Sequence, residues 1–560
     1  MGRFQSVTYD AIVVGSGITG GWAAKELTER GLRTLVLEAG RKIEPSRDYV
    51  EHIQAWQLPF RGWGDRRVLE RDQPIQRTCY ACDELGSKFF VNDRDNPYVF
   101  DADQPFSWIR GRHVGGRSIT WGRQVYRWSD LDFEANLKDG HGVDWPIRYR
   151  DIAPWYSHVE KFIGISGLAE GLPQLPDGEF LPAMQFRCAE VKVREAAERK
   201  WGRDRVLTIG RCAVLTQSHN GRAACHYCGP CERGCITHSY FSSIGSTLPA
   251  AAATGRLTLR PDSVAQSVLY DRTTGRATGV RVIDANTREA TDYRARIVFL
   301  CASALESVRI MLNSTDAARE GIANSSGALG RGIMDHCFGA GARGTMPGME
   351  DQDSFGSRPN GVYVPRFRNV KDAQPNFVRG YGFQGGAGRG RWNGAGIGAD
   401  FKSRLLRDKG AWSMGLGGWG EMLPRDENYV DLDPFVRDKW GIPALRVKVA
   451  FGSNEQAILA DIQQTAAEML EAAGATNIST YNDHLPPGLC IHEMGGARMG
   501  RDPRTSVLNG WNQAHDVPNL FVTDGACMAS SANQNPSITY MALTARAAAH
   551  AVELLGRGEI

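Results

Sequence analysis

Long apolar runs are missing from this 560-residue sequence. No stretch approaches the roughly 18 apolar residues that a bilayer-spanning helix needs, so no transmembrane segment is expected. Runs of one charge are missing too. The 66 Lys and Arg are interspersed with 63 Asp and Glu, for a net charge of +3, which leaves no basic stripe for nucleic acid. The opening MGRFQSVTYDAIVVGSG has no basic segment leading into an apolar one, so no export signal is read there. No internal repeat is evident. Twelve cysteines over this length do not make a disulfide framework; they are scattered, apart from Cys79 with Cys82 and a tight group at 225–235. A hydrophobic share of 42% with 23% charged residues is the balance of a soluble chain. The length exceeds one simple core and predicts two or three domains, or one large domain with insertions.

Glycine (64) and tryptophan (14) are plentiful. They suit close backbone contact with a cofactor and a planar or sugar-like ligand, or simply many turns and a well-filled core. The segment YDAIVVGSGITGGWAAKELTERGLRTLVLEAG reads as strand, glycine-rich turn, helix, strand. Ala11–Val14 is a buried-strand run. Gly15, Gly17 and Gly20 then form G-x-G-x-x-G: the first for the tight turn, the second for approach of a pyrophosphate, the third for close helix packing. The helix N-terminus offers free N–H groups to that anion. Glu38 ends the second strand, placed to accept from a ribose. Dinucleotide binding follows, with FAD and NAD both open. The stretch IRGRHVGGRSITWGRQ, with Gly115, Gly116 and Ser118, suits a second pass of chain along a long flavin. Segment 256–312 reads as a hairpin turning at Thr274–Gly275, then a buried strand at Ile297–Leu300 and a helix. That insertion favours FAD.

The C-terminal segment CIHEMGGARMGRDPRTSVLNGWNQAHDVPNLFVTDGACMASSANQNPSITYMALTARAAAHAVELL carries His492, Gly495–Gly496, Met499–Gly500, Asp524–Gly525, and Asn535–Pro536 with Thr539. It resembles the C-terminal signature of the glucose–methanol–choline (GMC) oxidoreductases, and LGRGIMDH (329–336) and EMLPRDENYVDLDP (421–434) are similar to that family's middle motifs. The resemblance covers nearly the whole chain. It implies a discontinuous Rossmann-type α/β FAD-binding domain with an α+β substrate domain built on a mixed antiparallel sheet. It also implies Val264 as a backbone contact to adenine, and Asp524, Gly525, Pro536 and Thr539 at the flavin. Alcohol oxidation needs a hydride acceptor, the flavin N5, and a base of near-neutral pKa. His492 is the expected base, and Asn535 matches the family's second catalytic position, occupied there by His or Asn. The Asn form resembles pyranose and cholesterol oxidases and bacterial sugar dehydrogenases. His336 is expected to support a domain junction rather than act. Where some relatives carry a histidine covalently linked to the flavin, this sequence has Thr120, so FAD is expected to be non-covalent.

Cys225, Cys228, Cys231 and Cys235 follow the C-x2-C-x2-C-x3-C spacing of bacterial ferredoxins, with Ile236 where those have proline. A 4Fe–4S or 3Fe–4S iron–sulfur cluster is the expectation; zinc and disulfides or free thiols are the alternatives. A cluster beside a flavin implies single-electron delivery to an outside acceptor. Cys79 and Cys82 are read as ordinary thiols. Resemblance to the large subunits of heteromeric sugar dehydrogenases implies a sugar or glycoside substrate oxidised at a secondary hydroxyl such as C3, with a GMC-type oxidase using dioxygen or a dehydrogenase of a non-sugar alcohol as the alternative. It also implies a small partner subunit, a c-type cytochrome or other external acceptor, and periplasmic location by co-export, with the cytoplasm as the alternative. The expected boundaries are FAD-binding parts at 1–139, 237–335 and 486–560, substrate parts at 140–224 and 336–485, and the cluster loop at 225–236 between them. The glycine-rich 379–400 is expected to form sheet edges and loops over the substrate pocket.

Overall fold

The Ala11–Val14 run is apolar on both faces because both faces are covered: all four residues are at most 3% exposed. In the computed structural model, which describes residues 3–53, 57, 66–374, 376–390, 396–407 and 410–560, this run ends the strand Arg3–Val14. Thr34–Leu37 and Ala290–Leu300 flank it, both parallel, with Val14 level with Leu37 and Leu300. Leu257–Arg260 and Leu520–Val522 extend the parallel sheet at either side. The first half of Ala290–Leu300 instead pairs antiparallel with Arg276–Asp284, which forms a hairpin with Ser263–Asp271. Four parallel strands therefore end side by side at Gly15, Glu38, Cys301 and Thr523, and their carboxyl ends open a crevice. Helix Ile18–Glu29 and helix Ser537–Gly556 cover one face through small residues, Ala23, Ala24, Ala547, Ala548 and Ala551, which allow close approach.

The second sheet has six antiparallel strands in the order Thr476–Asn482, His336–Met346, Trp412–Glu421, Tyr381–Arg389, Val362–Val364, Thr208–Ile209. Helix Ser453–Ala472 packs its Ile458, Ile462, Ala466 and Met469 onto this sheet. Glycines in the strands permit the contact: a Cβ on Gly418 would lie 2.5 Å from Ile462.

Three features differ from the sequence reading. Tyr381–Arg389 is an interior strand rather than a sheet edge, while 391–395 of the same glycine-rich stretch lie outside the described residues. The hairpin of Tyr429–Arg437 with Pro443–Lys448 leaves the substrate sheet, pairs with Val99–Phe100 and buries Val430, Leu445 and Val447 in the core of the dinucleotide-binding part. Helix Tyr149–Ile163 also joins that core, where Tyr156 bonds Thr539 across 2.7 Å. A strand-like or helical pattern states which face is apolar but not which core receives it. The cysteine loop bonds segments from both parts: Ile236 N–H donates to Glu51 at 2.7 Å, and Ser357 N–H to the Tyr227 carbonyl at 2.9 Å.

Candidate active site

A cavity of about 490 Å³ runs from the strand ends of the first sheet to the second. Gly15, Gly17, Glu38, Val264, Gly116, Ser118, Asp524, Gly525, Asn535, Pro536 and His492 all line it, as does Thr120. Gly20 and Gly115 stand behind this wall. A Cβ on Gly20 would come within 1.9 Å of the Gly15 carbonyl, so only glycine lets the helix start so close to the strand. The Gly115 N–H donates to Ser16 Oγ at 3.0 Å and joins the two glycine-rich segments. Glu38 accepts from Ser16 (N–H at 3.1 Å, hydroxyl at 2.6 Å) and from the Gly40 N–H at 2.9 Å; burial raises its carboxyl above the ordinary value. Asp524, pushed up to about 6 by burial, accepts from Ser307 and from the Ala526 N–H at 3.0 Å. Thr539 is not brought to the cavity; its hydroxyl is bonded to Tyr156.

The lining fits a dinucleotide. Arg110 Nε, Arg112 Nη1 and Tyr540 Oη are buried donors without a protein acceptor, which phosphate and ring oxygens would satisfy. Pro536 occupies the N-cap position of helix Ser537–Gly556, and Pro536, Ser537 and Tyr540 bring the start of that helix to the same cavity.

At the far end stands the predicted pair. His492 Nε2 and Asn535 Nδ2 are 3.4 Å apart. Gln384, on the second sheet, donates to Asn535 Oδ1 at 2.7 Å, which fixes the amide so that its NH2 points towards the base. Trp419, from the neighbouring strand, also lines this end. Two groups stand behind His492: His336, whose contact with the base the sequence reading missed, and Asp335, which it did not single out. His336 Nδ1 lies 2.9 Å from His492 Nδ1, and its Nε2 lies 3.2 Å from the Ser531 carbonyl. Asp335 accepts from the N–H groups of Gly488 (2.7 Å), Cys490 (3.2 Å) and His492 (3.1 Å), and so sets the loop that carries the base. His336 opens a strand of the second sheet and bonds two residues of the 486–560 part, so it stands where the two parts meet and is also a partner of the base. The sign of it in the sequence is MDH, two chemistry-bearing residues just ahead of a strand, but nothing local says that 336 meets 492.

These contacts assign the protons. Burial holds His336 near pKa 4, so it is neutral, and the Ser531 carbonyl can only accept. His336 therefore carries its proton on Nε2 and offers Nδ1 as acceptor. His492 must donate from Nδ1, which leaves Nε2 bare beside Asn535. Burial, with His336 and Arg117 nearby, holds His492 well below the ordinary histidine value. The base expected near neutral pKa is accordingly a weaker one, and it stays unprotonated at neutral pH.

Three comparisons with known proteins bear on the family and the fold. The N-terminal part of the GMC oxidoreductase family matches residues 9–338 and its C-terminal part residues 424–544. The chain belongs to the GMC oxidoreductase family. Among curated relatives, 2-methyl-1,2-propanediol dehydrogenase of Mycolicibacterium austroafricanum is 28% identical, with 96% of this chain and 94% of that protein covered. Paromamine 6'-oxidase of Streptomyces fradiae is 27% identical over 98% and 92%. The fructose dehydrogenase large subunit of Gluconobacter japonicus is 24% identical over 97% and 98%. Among solved structures, pyridoxine 4-oxidase from "Mesorbium loti" shares the fold at a TM-score of 0.60 and 16% identity, covering 97% of this chain and 98% of that one. This GMC oxidoreductase is therefore an FAD enzyme acting on CH–OH groups. FAD, when bound, supplies a hydride acceptor at N5. The geometry leaves His492 Nε2 free to accept a proton and the Asn535 NH2 beside it free to donate, with His336 and Gln384 bonded to the far sides of the two.

Proposed function

We propose that this GMC oxidoreductase is a dehydrogenase of a sugar or glycoside, oxidising a secondary ring hydroxyl such as C3 to the ketone. The observation that carries the reading is the lining beside the base. Gln384 and Asn535 bring amide groups, and Trp419 an aromatic face, to the cavity that His492 lines. Amides satisfy several neighbouring hydroxyls while an indole covers the apolar face of a ring. A fructose dehydrogenase subunit and a paromamine oxidase among the relatives support it. The second reading, a dehydrogenase of a small non-sugar alcohol, is favoured by the similarity to the propanediol enzyme.

An iron–sulfur centre at Cys225, Cys228, Cys231 and Cys235 belongs to the proposal, since such a cluster, when bound, passes electrons singly. All four thiols are free, and with Val214, Tyr240 and Ser357 they line one small cavity. Tyr227 N–H at 3.4 Å from Cys225 Sγ and the Thr237 hydroxyl at 3.3 Å from Cys235 Sγ add hydrogen bonds of the kind that hold thiolates. Cys228 is the exposed thiol of the four and marks the side for a cytochrome or another external acceptor. Fructose dehydrogenase's relative is named as a large subunit, which supports a small partner here, and co-export with it would place this chain in the periplasm.

The test is anaerobic bleaching of the bound flavin by a panel of sugars, glycosides and simple alcohols, with NMR of the product and iron and labile sulfide counted on the same sample. Bleaching by glycosides with a keto-sugar product is expected. Fast bleaching by small alcohols with none by any sugar overturns the substrate reading, and zinc in place of iron overturns the electron path.

A further inference from the structure

Two buried arginines near the cysteine loop have no carboxylate partner. Arg123 is 7% exposed and Arg222 6%. Arg123 donates to the Trp121 carbonyl at 2.6 Å, and its guanidinium lies 5.4 Å from the ring of Tyr240, which itself lines the thiol cavity. Arg222 donates to the Ile163 carbonyl. Arg123 Nε and Arg222 Nη1 are buried with no acceptor at all. The ionisable groups close to Arg123 are Cys231, Tyr80, Tyr240 and Cys212; those close to Arg222 are Cys235 and His238. Arg233, by contrast, is paired with Asp83 at 2.7 Å and lies 3.8 Å from Glu232, and the nearby buried Glu51 accepts from the Ile236 amide at 2.7 Å.

A buried guanidinium without an anion is expensive, and an unmade hydrogen bond beside it adds to the cost. Neutral thiols or disulfides give nothing in return. Four metal-bound thiolates carry more negative charge than the metal core returns, and they supply the missing acceptors. We propose that Arg123 and Arg222 are the counter-charges of an anionic, thiolate-ligated cluster in the 225–235 loop, and that Arg123, which also lines the flavin cavity, is the cation held in common by the two redox sites. This rests on the iron–sulfur reading above.

The consequence is directional. Reduction adds negative charge to the cluster, and a cation held nearby stabilises the reduced form, so removing the cation lowers the midpoint potential. The experiment compares the wild type with Arg123→Met, Arg222→Met and the charge-keeping Arg123→Lys and Arg222→Lys, all as FAD-loaded protein. Iron and labile sulfide per chain are measured first, then the cluster potential by a redox titration followed by electron spin resonance. Both methionine variants are expected at a lower potential or with iron lost, and both lysine variants are expected to recover most of the change. An iron-containing wild type whose potential and iron content are the same in both methionine variants overturns this inference alone. A wild type holding zinc or no metal overturns the cluster reading beneath it.

Discussion

Replacing His336 with phenylalanine keeps a ring of similar size in a fully buried place and deletes both of its hydrogen bonds. Its consequence falls on His492. Without an acceptor at 2.9 Å, a proton on His492 Nδ1 is a buried donor with only Cys490 Sγ, 3.5 Å away, beside it. An unsatisfied buried donor costs about 1–3 kcal/mol. The imidazole avoids that by moving the proton to Nε2, the atom that has to receive one from the alcohol. The active tautomer is disfavoured by the same amount, and at 1.36 kcal/mol per decade flavin reduction slows by about five- to 150-fold. Two further readouts separate this from a loss of packing. His336 is one of the groups that hold the His492 pKa down, so the acid limb of the rate profile moves to higher pH in the variant. In His336→Asn an amide oxygen can stand where Nδ1 stood, and much of the rate returns. The assay is anaerobic stopped-flow bleaching at saturating substrate, on protein shown to hold a full complement of FAD. A His336→Phe enzyme that reduces its flavin within twofold of the wild-type rate, with the same pH profile, would refute the tautomer argument.

Because burial, His336 and Arg117 depress the His492 pKa, the base stays neutral as pH falls through the ordinary histidine value of about 6.5. The wild-type rate of flavin reduction is therefore expected to stay level across that pH and to fall only further into acid; a limb centred at 6.5 contradicts the burial argument. Gly20→Ala puts a Cβ 1.9 Å from the Gly15 carbonyl, and the chain is expected to purify without yellow colour, read from its absorption spectrum. Gln384→Leu frees the Asn535 amide and removes an amide from the substrate wall, so KM for the best substrate should rise at least several-fold with FAD content unchanged. Asp335→Ala strands the N–H groups of Gly488, Cys490 and His492 and should lower the melting temperature as well as the rate, by calorimetry and turnover on one preparation.

The dinucleotide crevice was legible because its determinants are local. Strand, glycine turn, helix and acid lie within 38 residues, and each has a physical reason to be where it is. The same holds for the cysteine loop, whose four thiols lie within eleven residues, and for Pro536 at the head of the last helix. His492 and Asn535 were legible by family likeness, which stands in for contacts that the sequence does not print. Tertiary structure alone decided three things. It brought His336 against His492 from 156 residues away and so chose the tautomer of the base. It placed Gln384, on an interior strand of the other sheet, against Asn535. It sent the 429–448 hairpin and the 149–163 helix into the dinucleotide-binding core. Hydrophobic pattern and turn chemistry act between near neighbours, so they fix elements. Long-range pairing depends on which of several apolar faces meet and on hydrogen bonds completed after they do, and no single segment carries that information.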